Sequence, residues 1–64
     1  MSRPTLEVEA TCVGETEKAI RVEIEGESFW VPKSLIDDDS EVYADGHEGT
    51  LIIPEWWAEQ EGIA

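Results

Sequence analysis

Basic residues are scarce in this chain: Arg3, Lys18, Arg21 and Lys33 stand against sixteen aspartates and glutamates in 64 residues. Four scattered cations cannot offset that acidity in a phosphate field, so direct nucleic-acid binding is not expected. Cysteine is rarer still. Cys12 is alone, which excludes an intramolecular disulfide framework and a cysteine-cluster zinc site, and it fits a small apolar strand residue in a reducing cytosol. His47 is the only histidine, and without a Ser/His/Asp arrangement it leaves nucleophilic and zinc chemistry short of parts. Carboxylates are plentiful, but glycoside hydrolysis needs a cleft that so short a chain can hardly wall. No apolar run approaches the roughly 20 residues of a membrane-spanning helix, and no apolar segment follows Met1-Ser2-Arg3-Pro4 as in a signal peptide. The expectation is a soluble cytoplasmic protein that is not an enzyme and has no metal, cofactor or membrane contact.

What the chain does have is a net charge of -12, 41% hydrophobic residues and three tryptophans. The apolar content and its periodicity argue against a disordered acidic tail. The charge opposes compaction, and a domain of about 60 residues buries only about 60% of its unfolded surface. One small β-rich domain over residues 1–64 is expected, with residues 1–4 a flexible N-terminus.

From Thr5 to Val13 the residues alternate, with Leu6, Val8, Ala10 and Cys12 on one face and Thr5, Glu7, Glu9 and Thr11 on the other. That is the period of a half-buried strand. Gly14 to Glu17 reads as a turn. Ile20, Val22 and Ile24 resume the inward pattern, with Arg21, Glu23 and Glu25 outward. Glu25-Gly26 resembles an Asp-Gly type I′ hairpin turn, and Ser28 to Val31 forms a third strand that Pro32 ends. Lys33-Ser34-Leu35-Ile36 reads as one helical or 3₁₀ turn closing one end of the core. A short strand is expected over Glu41 to Ala44, and a buried one over Thr50 to Ile53. Pro54 and Glu55 suit the start of a short helix, and Gly62-Ile63 its Schellman cap. The economical architecture is a small SH3-like or OB-like barrel of four to five antiparallel strands with a short C-terminal helix.

The hairpin turn sets Ile24 opposite Glu27, Val22 opposite Phe29, Ile20 opposite Val31, Arg21 opposite Trp30 and Glu23 opposite Ser28. Matching apolar faces between the first two strands pairs Cys12 with Ile20, Ala10 with Val22 and Val8 with Ile24. Outward, Thr11 then faces Arg21, Glu9 faces Glu23 and Glu7 faces Glu25. Two directly opposed carboxylate pairs cost several tenths of a kcal/mol each. Along each strand the carboxylates stand about 6.6 Å apart, an array ending at Arg21 and Trp30. Solvated outer positions are the plain reading of these glutamates, a partner-binding face the functional one, and salt adaptation a third.

Trp30 falls on the outer face, where a large aromatic is either covered by another element or serves as an anchor. Cover from Trp56 or Trp57 is the expected arrangement, and Arg21 is placed to stack on Trp30. Adjacent tryptophans on a helix diverge by about 100°, so one of the C-terminal pair enters the core and the other lies at the rim. Asp37, Asp39 and Glu41 have the first three spacings of an EF-hand loop, yet Val42 stands where glycine is required and no helix precedes the run. A solvated loop is expected there.

The segments Lys18 to Gly26, Phe29-Trp30-Val31-Pro32-Lys33-Ser34-Leu35-Ile36 and Gly49 to Glu59 resemble short uncharacterised acidic proteins of phages and prophages. The likeness runs from Lys18 to Gly62, with Trp-Val-Pro-Lys-Ser its most specific element. It implies an origin and a fold, and brings no established activity. Small acidic phage proteins include inhibitors that mimic DNA; the likeness to these lies in size and charge. The functional expectation is a non-enzymatic protein-binding module, a DNA-mimicking inhibitor docking on a basic host or phage nucleic-acid-binding protein. Glu7, Glu9, Glu23, Glu25, Arg21 and Trp30 would form its surface. The alternative is an accessory or structural domain working with phage replication or recombination proteins through Trp30 and the strand edges, its charge serving solubility or salt adaptation.

Overall fold

The computed structural model describes residues 4–63. The strands are β1 (Thr5–Glu15), β2 (Ala19–Ile24), β3 (Glu27–Pro32) and β4 (Glu48–Pro54); a 3₁₀ turn covers Lys33–Leu35 and one helix, α1, spans Glu55–Gln60. The strands make a single antiparallel sheet in the order β3-β2-β1-β4. The mainly β expectation holds, and the expected closed barrel does not. β3 and β4 lie at opposite edges of an open sheet, because the connection after β3 crosses the core face instead of bringing the two edges together.

That connection closes one edge by an unusual route. Asp37 N donates to Ile52 O at 3.0 Å, and Glu41 N donates to Thr50 O at 2.8 Å. The two β4 amides on that edge are met by side chains: Ile52 N donates to Ser40 Oγ at 2.9 Å, and Thr50 N donates to a Glu41 carboxylate oxygen at 2.9 Å. Ser40 Oγ also donates back to Ile52 O at 3.2 Å. The strand expected over Glu41–Ala44 does not form. Only Glu41 pairs with β4, while Val42 turns fully into the core.

One sheet face carries the core. Cys12, Ile20, Val22, Val31, Leu51 and Ile53 are its most buried members, and Leu35 and Ile36 from the connection pack against it. Trp57 and Ala58 are buried on α1, whereas Trp56 is 48% exposed, which settles which indole goes inward. Gly62 has φ +80°, Gly62 N donates to Glu59 O and Ile63 N donates to Ala58 O, which is the expected Schellman cap with Ile63 against the core. Of the expected flexible N-terminus, residues 1–3 lie outside the described residues. Pro4 is tied down, its carbonyl accepting from Glu55 N at 3.2 Å.

Candidate protein-binding surface

The β2–β3 hairpin has the expected register at every pair, from Ile24↔Glu27 to Ile20↔Val31. Glu25 at φ +52° and Gly26 at φ +84° give the two positive φ values that a type I′ turn requires. The β1–β2 register differs from the expected one by two residues. Cys12 pairs with Val22 and Thr11 with Glu23, and a bulge lies between Cys12 and Gly14. β1 therefore runs on through Glu15, where a turn was expected. The turn falls at Thr16–Ala19, closed by Thr16 N to Ala19 O at 2.8 Å and Ala19 N to Thr16 Oγ1 at 3.1 Å.

The consequence is electrostatic. Glu9 does not face Glu23, and Glu7 does not face Glu25. Across the outer face one row reads Ser28–Glu23–Thr11–Glu48, and the next sets Glu9 beside Thr50. Glu7 lies opposite Ile52. Each carboxylate in the ladder thus has a hydroxyl or apolar partner, which removes the repulsion that direct opposition would bring. Glu9, Glu23, Glu25 and Glu48 border one shallow depression of about 560 Å³. Glu7 stands two residues along β1 from Glu9 on the same face.

Glu7, Glu9, Glu23, Glu25 and Glu48 are all exposed, and among the described residues none of these carboxylates takes part in an ion pair. Arg21 and Trp30 form the neighbouring row with Gly14. Trp30 is 52% exposed, so the expected cover by a C-terminal tryptophan is corrected: α1 packs on the core face, and among the described residues nothing covers the outer one. Arg21 is the cross-strand partner of Trp30, yet the one aromatic contact among the described residues is edge-on between Tyr43 and His47, with centroids 4.5 Å apart. Glu48 is a surface member that sequence reasoning missed, and Thr11, placed on this face, has Glu23 and not Arg21 as its partner on β2. Extending the inward parity of Leu51 and Ile53 back along β4 would have brought Glu48 out of its presumed turn.

Other acids have internal work. Glu15 binds Lys33 Nζ at 2.6 Å through one oxygen and accepts from Asp45 N at 3.2 Å through the other. The Lys33 ammonium foremost, and then the Asp45 amide, hold its carboxyl below the usual range. Asp37 accepts from Asp39 N at 2.9 Å, an Asx turn that shapes the acidic loop. His47 Nδ1 lies 3.4 Å from Tyr43 N, and His47 O accepts from Cys12 N at 2.7 Å, continuing the sheet beside the bulge. Among the described residues no three such groups converge on a point that would hold a metal ion. Comparison with protein-family models, curated proteins and solved structures finds no match, so the reading of this surface rests on its geometry.

Proposed function

We propose that the chain is a non-enzymatic protein-binding module whose outer sheet face docks on a basic protein surface, of the kind that otherwise holds nucleic acid. The observation that carries this is the bare outer face itself. It bears five exposed carboxylates that, among the described residues, have no cation paired to them, flanked by an exposed arginine and tryptophan. Charge of one sign on one face steers encounter and sets orientation, while burial of an aromatic such as Trp30 supplies affinity. Carboxylates two residues apart on a strand stand about 6.6 Å from one another, close to two axial phosphate steps of about 3.4 Å in one DNA strand. A basic groove would meet a coarse negative array with about one charge for every two phosphate steps of a strand. An inhibitor that occupies such a groove fits the size of the chain.

The test is affinity capture from a bacterial lysate at low and high salt, with wild type beside Glu9→Lys/Glu23→Lys. Nucleic-acid-binding proteins should be retained at low salt. Retention should fall more than about tenfold in the double variant and in molar salt. Capture that survives charge reversal and salt but is lost in Trp30→Ala would instead favour an accessory domain that docks through Trp30, with the charge serving solubility.

A further inference from the structure

The sheet has one more edge than its strand order suggests. β1 pairs with β4 from Thr5 to Thr11, but with β2 only from Thr11 onward. The β2–β3 hairpin turns back at Glu25-Gly26, level with Glu9, so among the described residues β1 has no strand paired to it on that side ahead of Thr11. Backbone direction there follows from alternation. Cys12 N donates toward the β4 side, to His47 O, and Cys12 O accepts from Gly46 N on the same side. Leu6 and Val8 share that direction, and the peptide groups of Thr5, Glu7 and Glu9 face the other way. Among the described residues none of those three has a hydrogen-bonding partner on that side. The outer edge of β4 is sealed by Asp37, Ser40 and Glu41; that of β3 is, among the described residues, open at Ser28 and Trp30 as far as Pro32, which has no N–H, but a strand added there would lie beside Ser28 and Trp30 and not beside Glu7 and Glu9.

We propose that this edge of β1, Thr5 to Glu9, receives an extended segment of alternating basic and apolar residues as an added strand. The inference rests on the acidic-face function and specifies what the partner inserts. A strand laid here shares both faces of β1. Its outward side chains fall beside Glu7 and Glu9, with Glu25 at the hairpin tip, and select lysine or arginine. Its inward side chains fall beside Leu6 and Val8, which are half-buried at the margin of the core, and select apolar groups. The available run is about five residues, or roughly 17 Å. A second copy is a poor occupant, because it would set Glu7 and Glu9 against their own counterparts on a chain that already carries -12. Main-chain pairing would supply affinity and the alternating faces specificity.

The experiment titrates the full ¹⁵N-labelled chain at low salt with acetyl-Lys-Val-Lys-Val-Lys-Val-Lys-amide and follows amide hydrogen exchange by NMR. Saturable binding should slow exchange at Thr5, Glu7 and Glu9 by about tenfold or more, leaving Leu6 and Val8 unchanged. Two further peptides carry N-methyl groups on every lysine or on every valine. Only one set removes the donors that face β1, so one peptide should bind about tenfold more weakly and the other like the parent. Tight binding of both methylated peptides without protection would overturn strand addition while leaving the acidic-face reading intact. Protection that rises with protein concentration and no peptide would assign the edge to a second copy and overturn the proposal. Failure of the peptides to bind, when the captured basic proteins still do, would overturn the strand alone; failure of both removes the function on which it rests.

Discussion

Thr11→Lys should make the protein more stable. Thr11 is the Cα partner of Glu23 on β2 and of Glu48 on β4, and all three side chains emerge on the open face. A lysine there sits between two carboxylates that, among the described residues, have no cation of their own. Each opposite-charge cross-strand pair contributes about 0.2–1 kcal/mol, with exposed pairs toward the lower end. The loss of threonine's strand preference returns a few tenths of that. The net expectation is about 0.5 kcal/mol, or roughly 2–4 °C in Tm for a domain of this size. Thermal melts at low ionic strength would read it. In 1 M salt, where the screening length falls to about 3 Å, the gain should shrink toward zero. It should also shrink in a Glu23→Gln/Glu48→Gln background. The register expected from face matching alone sets Thr11 beside Arg21, where lysine would destabilise, so the sign of the shift separates the two arrangements. A lower Tm at low salt, or a gain that ignores salt, would refute the observed pairing.

Three further outcomes follow from the loop and the bulged strand. Ser40→Ala leaves Ile52 N–H without its acceptor in a part-buried setting, which should cost about 1–3 kcal/mol, a large share of the roughly 3–10 kcal/mol expected for a domain of this length; urea melts would measure it. Gly49 has φ +137°, and a Cβ there would stand 2.6 Å from a Glu41 carboxylate oxygen, so Gly49→Ala should destabilise by about 1–3 kcal/mol and lower the urea midpoint, with Thr50 amide exchange speeding up as Glu41 is displaced. Glu15 has its carboxyl held below the ordinary value near 4.5 by Lys33 and the Asp45 amide. The folded state therefore binds that proton less readily, and the stabilisation is present above about pH 4.5 and lost as pH falls through the lowered value. Wild type should exceed Glu15→Gln in denaturant midpoint at pH 7, and the gap should close by pH 3; a gap that widens in acid would contradict the assignment.

The sequence was most legible where a single local element controls geometry. Glu25-Gly26 dictates a two-residue turn, the turn dictates a register, and the apolar pairs Val22↔Phe29 and Ile20↔Val31 check it independently. Gly62-Ile63 is similar, because only the glycine adopts the positive φ that ends the helix and only Ile63 is placed to fold back on the core. Between β1 and β2 no such element exists. Burial alternates along the whole of β1, but Val13, 44% exposed, puts an apolar residue at an outward position and breaks the apolar–polar pattern of the sequence. A glycine after that break reads locally as a turn, although an isolated glycine in a strand equally marks a bulge. Matching apolar faces cannot separate registers two residues apart, since both keep the same residues inward. The sealing of β4 by Ser40 and Glu41 was illegible for another reason. Side chains there take the place of a strand, and neither periodicity nor propensity encodes that substitution.

The structure divides the acidity by what each carboxylate does. Glu15, Asp37 and Glu41 each accept a backbone amide, and together they fasten the connection that crosses the core. Among the described residues Glu7, Glu9, Glu23, Glu25 and Glu48 have no hydrogen bond of this kind, although they share one uncovered face. Removing charge from the first group should loosen the fold. Removing it from the second should tighten the fold, as Thr11→Lys is expected to do. If the face only keeps the protein dissolved, Thr11→Lys should raise Tm and leave capture of basic proteins intact. If the face binds a partner, the same change should raise Tm and weaken capture together, the opposed response of a surface that trades stability for function. A folded, more stable Thr11→Lys variant cannot lose capture through unfolding, so any loss would belong to the surface.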